Sequence, residues 1–157
     1  MEGITYWVIN DPNELRTFIN SNLRREWERD NQEDGLDSRT DSWLLSLPKR
    51  AWHLGVLKTA DVKLDSSMMA NEDFATRLKE RSEELRRSVS EYNAVIWPLV
   101  IREEDYQLKD GYCRFVTLRR MGVSRLMAYF GSRAAEGKRG EGQGSGIAGS
   151  RGEYSLD

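Results

Sequence analysis

Tyr106-Gln107-Leu108-Lys109-Asp110-Gly111-Tyr112-Cys113-Arg114-Phe115 is the stretch on which the reading of the fold turns. Its first four residues alternate as a strand does, Asp110 is a residue type suited to capping a helix, and Gly111 lets backbone pass close to a ligand. From Tyr112 the apolar residues Phe115, Leu118 and Met121 recur at three-residue steps until Gly122 supplies a stop. Strand, Asp-Gly turn and helix follow one another, which puts the turn at a helix N-terminus. Backbone N–H groups there, the positive end of the helix dipole and the Arg114 guanidinium favour a phosphate or carboxylate. A plain capped helix with Arg114 as a surface charge satisfies the same spacing, so both readings stand at this point.

Working upstream, Val95–Ile101 is a nearly continuous apolar run suited to a buried strand, in which Pro98 implies an edge, a bulge or the strand's first residue. Glu103-Glu104-Asp105 then makes a polar turn into Tyr106, giving a hairpin. Before the run lies the longest helical signal, with Phe74, Leu78, Leu85, Val89 and Tyr92 on one stripe, Asn71 as its cap and Asn93 as a left-handed stop. Asp73 with Arg77 and Glu83 with Arg87 stand four apart in the favourable order. Asp61–Asp65 alternates, and Trp52–Leu57 reads as a strand whose His53 is a packed or hydrogen-bonded histidine rather than a catalyst. Downstream of the helix from Tyr112, Arg125–Phe130 is a last strand.

At the N-terminus Ile4–Ile9 reads as a strand and Asn10-Asp11-Pro12 starts a helix that packs through Leu15, Phe18, Ile19, Leu23 and Trp27. Glu28 to Asp41 reads as an exposed acidic loop without the ligand order of a calcium loop, and Ser42–Leu47 as an apolar turn or helix closed by Pro48. Seven glycines between Gly137 and Gly152 mark a disordered Gly-rich tail. These shifts divide the chain into a strand and helix extension with an acidic loop at 1–50, a small α/β (α+β) domain at 51–132 and the tail at 133–157.

The 157 residues carry a formal net charge of −2, so binding of a polyanion has to rest on a local patch. One is visible: between Gly111 and Ala135 there is no Asp or Glu, while Arg114, Arg119, Arg120, Arg125 and Arg133 fall there. A single cysteine and a single histidine exclude a disulfide within the chain and any zinc site built on several of either. Cys113, in the helix's first turn beside Arg114, reads either as a small buried residue or as a stabilised thiolate. No apolar run approaches the roughly 18 residues that span a bilayer, and a soluble cytoplasmic protein with no membrane partner is expected. A carboxylate beside phosphates is repelled unless a metal bridges them or it takes a proton from a nucleophile. Asp110 therefore points to Mg²⁺-dependent phosphoryl transfer or hydrolysis.

The order of these pieces resembles the ParB/sulfiredoxin superfamily. The matching residues are Leu85-Arg86-Arg87-Ser88-Val89, Trp97-Pro98-Leu99-Val100-Ile101, a hairpin, Asp110-Gly111-Tyr112-Cys113-Arg114-Phe115 with Leu118 and Met121-Gly122, and a final strand, from roughly Trp52 to Ser132. The resemblance implies a small α/β fold, a short mixed sheet with packed helices, whose turn holds nucleotide phosphates. By it Gly111, Tyr112, Cys113, Arg114 and Ser88 bind phosphate or nucleotide, and Asp110 matches the acidic residue of the Asp-Gly-His-His-Arg turn of free serine kinases. Sulfiredoxin places its cysteine two residues before the arginine, where Tyr112 stands here, and the kinases have histidines at Tyr112 and Cys113. Their further glutamate has its nearest counterparts in Asp65 and Glu72. The implied function is nucleotide binding (ATP, ADP or CTP, with Mg²⁺) with phosphoryl transfer or NTP hydrolysis on a small-molecule or protein substrate. The alternatives are a DNA-associated ParB-like binding or nuclease module, and a non-catalytic interaction domain without a nucleotide response.

Overall fold

The computed structural model describes residues 3–34, 43, 46–133 and 151–156. The expected strand at Ile4–Ile9 (β1) and helix from Pro12 (α1, Pro12–Asp34) are both present. The helix runs seven residues past the start of the expected acidic loop, because nothing from Glu28 to Asp34 breaks a helix before Gly35. The rest of that loop, 35–41, lies outside the described residues, as does the tail from 134 to 150. Of the apolar turn or helix expected at Ser42–Leu47, Ser42, Leu44 and Leu45 lie outside the described residues; Pro48 stands in a 3-10 turn, Leu47–Lys49, where its fixed φ fits. After β2 (Ala51–Lys58) and a second such turn come α2 (Ser66–Met69) and α3 (Glu72–Tyr92). Asn71 caps α3 by accepting from the Phe74 amide at 2.9 Å, and Asn93 ends it at φ 54 and ψ 40. Phe74, Leu78 and Val89 of the expected stripe are buried, whereas Tyr92, on the last turn, is 75% exposed. Glu83 bonds Arg86 at 2.6 Å and not Arg87.

The apolar run before the hairpin yields two short pieces instead of one strand. Ile96 forms an isolated parallel bridge to Tyr6, Pro98 intervenes, and β3 proper is Leu99–Arg102. β4 (Gln107–Asp110), α4 (Tyr112–Arg120) and β5 (Arg125–Ser132) complete the part built around the opening stretch. The main sheet is ordered β2-β5-β3-β4, with only β5 and β3 parallel. This is the small mixed α+β sheet that was expected.

Alternation across the sheet separates two apolar layers. Leu99, Ile101, Ala128 and Phe130 face α3 and α4 in a cluster that also takes Tyr6, Val8 and Leu108. Val100 and Tyr129 face the other way, against Ile9, Leu15, Ile19 and Leu23 of the N-terminal region and against Trp43 and Trp52. Ile9, α1, Trp43 and Leu47 thus supply one cover of the sheet, which is how α1 comes to line the site.

The disordered tail is corrected in part: Arg151–Leu156 is a strand, β6, antiparallel to β1 with Tyr6 opposite Tyr154. Its reason is an edge. On one side β1 makes only the short backbone bridge to Ile96 among the described residues, and β6 pairs its other edge while Tyr154 and Leu156 pack on the core. No helix among the described residues is long and apolar enough to cross a membrane.

Candidate functional site

The Asp110-Gly111 turn opens into a cleft of about 470 Å³ whose walls are α1, α3, the Trp97-Pro98 segment and the start of α4. Gly111, not Asp110, occupies the cap position of α4, at φ +103 and without a side-chain cap. A Cβ there would stand 2.7 Å from Leu99 and 2.9 Å from the Arg114 guanidinium, so only glycine fits both the angle and the space. Asp110 is instead the last residue of β4, and its carboxylate turns toward the helix. Its Oδ2 accepts from Arg114 Nη2 at 3.0 Å, while Arg114 Nη1 donates to the carbonyls of Trp97 and Pro98, each at 3.0 Å. Arg114 therefore clamps the β4–α4 turn to the chain entering β3.

Tyr112 is buried, edge-on to Phe74 at 5.5 Å, and its hydroxyl accepts from the Asp65 amide at 2.9 Å. Burial, the dominant cause, pushes its phenol up to about 12, so it enters the wall as a neutral packing group. Burial likewise raises the Cys113 thiol against the opposing pull of Arg114, which removes the stabilised-thiolate reading. Ser88 is not brought to the cleft. It sits near the far end of α3, where its carbonyl receives the amides of Asn93 and Ala94. Asp65 caps α2 through Ser67 and Met68, and neither it nor Glu72 lines the cleft. His53 is stacked on Phe130 with 5.3 Å between ring centres, as a packed histidine, although its side chain is half exposed.

Residues not read from the sequence as part of the site complete it. Arg77 and Arg81 come from α3, Arg29 and Glu26 from α1 and Lys109 from β4. With Arg114 they make five basic side chains around one cleft, against the carboxyls of Glu26 and Asp110. The signal for Glu26 was present: it lies three residues after Leu23 and seven after Ile19, on the face of α1 that is otherwise apolar. Likewise Arg77 and Arg81 follow Phe74 and Leu78 by three. Glu26, from α1, and Asp110, from the end of β4, line the same cleft. Phe18 and Trp97 stack in its wall with centroids 5.0 Å apart.

One oxygen of the Asp110 carboxylate, Oδ2, is paired with Arg114. Among the described residues no three His, Cys, Asp or Glu side chains gather as a metal set. Glu26 and Asp110 are the carboxyl groups that line the cleft, and Mg²⁺ is held at nucleotide sites by one or two carboxylates together with the phosphates.

No family model matches the chain, and no curated protein matches it. Among solved structures it is similar to the C2221 form of a pNOB8-like ParB N-domain, with 20% identity and a TM-score of 0.41 over 53% of this chain and 30% of that one. A second structure of the pNOB8-like ParB N-domain gives 22% identity and a TM-score of 0.40 over 53% and 28%. The chain thus spans less than a third of these solved chains.

Proposed function

We propose that the cleft binds the phosphates of a nucleotide. The observation that carries this reading is the convergence of Arg29, Arg77, Arg81, Lys109 and Arg114, from four elements, on one cleft of about 470 Å³. Such a volume lies within the range of small-ligand sites, and planar guanidinium groups suit phosphate oxygens through forked hydrogen bonds. The Phe18–Trp97 stack gives the same cleft an apolar wall of the kind that accepts a base or sugar face. Phosphoryl transfer or hydrolysis is the reaction class, with Asp110, held by Arg114, as the acid–base group at the phosphates; ATP, ADP and CTP are the nucleotides to try first.

Thermal shift against ATP, ADP, CTP and GTP is the test, repeated on Arg114→Ala. A nucleotide at a hundredfold excess over its dissociation constant stabilises the fold by about 2.7 kcal/mol. Stabilisation that persists undiminished in Arg114→Ala sinks the site. A second reading, DNA binding, is favoured by the exposed Arg119, Arg120 and Arg125 around the α4–β5 connection. It calls for an affinity that falls steeply with salt, and a salt-independent or undetectable complex rules it out.

A further inference from the structure

We infer that the free edge of β2 is the interface of a two-fold dimer, in which β2 of a second copy of this chain pairs with it antiparallel and joins the two four-stranded sheets into one. β2 is an outermost strand of the main sheet and pairs there with β5 alone, over all eight of its residues. The direction of its backbone groups follows from the bond just past its end. The Thr59 amide donates to the Ser124 carbonyl at 2.9 Å, in the register that sets Lys58 against Arg125. Opposed residues of an antiparallel pair exchange bonds at every second position, so Ala51, His53, Gly55 and Leu57 bond β5. Trp52, Leu54, Val56 and Lys58 turn their N–H and C=O groups outward, and among the described residues no backbone group bonds them. The opposite edge of the sheet is covered in part, since Lys63 bonds Tyr106 and Leu108 beside β4. β2 lacks the proline, the bulge and the mid-strand charge that keep edges apart: its one lysine stands at its last position, and it holds no arginine or carboxylate.

Self-pairing has one register that uses every outward group. A two-fold axis through Gly55 sets Leu54 against Val56 of the second copy and Trp52 against its Lys58, and the reverse, so that all the outward residues of both strands exchange bonds. Gly55 meets its own counterpart at the closest approach of the strands, where neither brings a side chain. Val56, 46% exposed in the single chain, gains Leu54 of the second copy as its neighbour. Charge agrees with the same axis. The 3-10 turns on either side of β2, Leu47–Lys49 and Thr59–Asp61, carry exposed Lys49 and exposed Asp61, each six residues from Gly55. The axis brings Lys49 of each copy beside Asp61 of the other, while Lys58 falls against Trp52 rather than a second lysine. Moving the axis by one residue leaves outward groups unpaired and parts Lys49 from Asp61.

The test is the mass of the full chain by light scattering from micromolar to millimolar concentration, with amide hydrogen exchange read at both ends of that range. The mass is expected to move from one chain to two. The amides of Trp52, Leu54, Val56 and Lys58 are expected to slow at the concentrated end, while those of His53, Gly55 and Leu57 keep their rates. A mass of one chain throughout overturns the proposal. So does protection of the outward amides already at the dilute end, which shows the edge to be covered within the single chain. Val56→Pro removes an outward N–H, a change an edge strand tolerates, and is expected to stay folded by circular dichroism and monomeric. Lys49→Glu leaves β2 itself untouched, so it decides even where Val56→Pro does not fold. It sets like charges together at both ends of the interface and is expected to weaken association about tenfold, with Lys49→Glu combined with Asp61→Lys restoring it. Association undiminished in Lys49→Glu, or unrecovered in the charge-swapped protein, removes the two-fold register and the proposal with it.

Discussion

At residue scale, Gly111 and Arg114 are one device. Gly111→Ala places a methyl against Leu99 at 2.7 Å and the Arg114 guanidinium at 2.9 Å, at a φ of +103, so both backbone strain and displacement of the clamp result. A loss of about 2–4 kcal/mol in urea denaturation is expected, with loss of nucleotide binding. Gly122 is the control: its φ is +82 but nothing lies within 4 Å of a Cβ there, so Gly122→Ala is expected to cost only about 1 kcal/mol. Equal costs at the two glycines refute the account of the turn. Glu26 makes a second prediction at this scale. Its carboxyl is raised above the ordinary 4.5 to about 7, so between those values the folded protein binds more protons than the unfolded chain. The stability this contributes is full below 4.5 and lost as the pH rises through about 7. Glu26 is only partly buried, so the loss is on the order of 1 kcal/mol. Denaturation midpoints at pH 6 and pH 8 check it: the wild type is expected to fall, and Glu26→Gln to stay level.

At the scale of elements, Arg50 ties three pieces of chain together. It receives no mention from pattern, yet it is buried. Its Nη1 donates to Glu104 at 2.7 Å and to the Gly131 carbonyl at 2.9 Å, its Nη2 to Glu104 at 3.0 Å, and its Nε to Ser46 at 2.9 Å. The guanidinium also lies 4.4 Å from the centre of the Trp43 ring. The 3-10 turn before β2, the β3–β4 hairpin and the end of β5 all meet there. Arg50→Ala leaves a carbonyl and a carboxylate without this donor, and a loss of about 2–4 kcal/mol is expected by chemical denaturation. Arg50→Lys is expected to recover less than half of that, since an ammonium cannot reproduce the fork. Full recovery by lysine shows the charge alone to suffice and removes the geometric argument.

At the scale of the whole molecule, the ends of the chain close its edge and its cleft. β6 pairs with β1 over six residues, and Tyr154 and Leu156 pack on the core. Truncation before Arg151 is expected to destabilise the protein by about 2–3 kcal/mol, to speed hydrogen exchange of β1 amides and to promote association through the bared strand. Unchanged exchange in β1 excludes that role for β6. At the other end, α1 supplies both the second apolar cover of the sheet and one wall of the cleft, so the N-terminal region is part of the site rather than an appendage.

Local signals determined much of this: the strand, turn and helix around Gly111, the Asn71 cap, the Asn93 stop and the hairpin after β3 all follow from side-chain period and backbone preference within a few residues of each position. The mixed α+β class follows from their order. What sequence could not settle were the contacts made across long separations. Asp110 looked like a cap and proved to be a strand end pairing with Arg114, because a glycine at positive φ took the cap position instead. Glu26 and Asp110, 84 residues apart, line one cleft only because α1 folds over the sheet. The strand at Arg151–Leu156 carries no strong pattern of its own and exists because β1 leaves an edge to be paired. Propensity is written into neighbouring residues, whereas burial, charge pairing and edge completion depend on which distant surfaces the folded chain brings together.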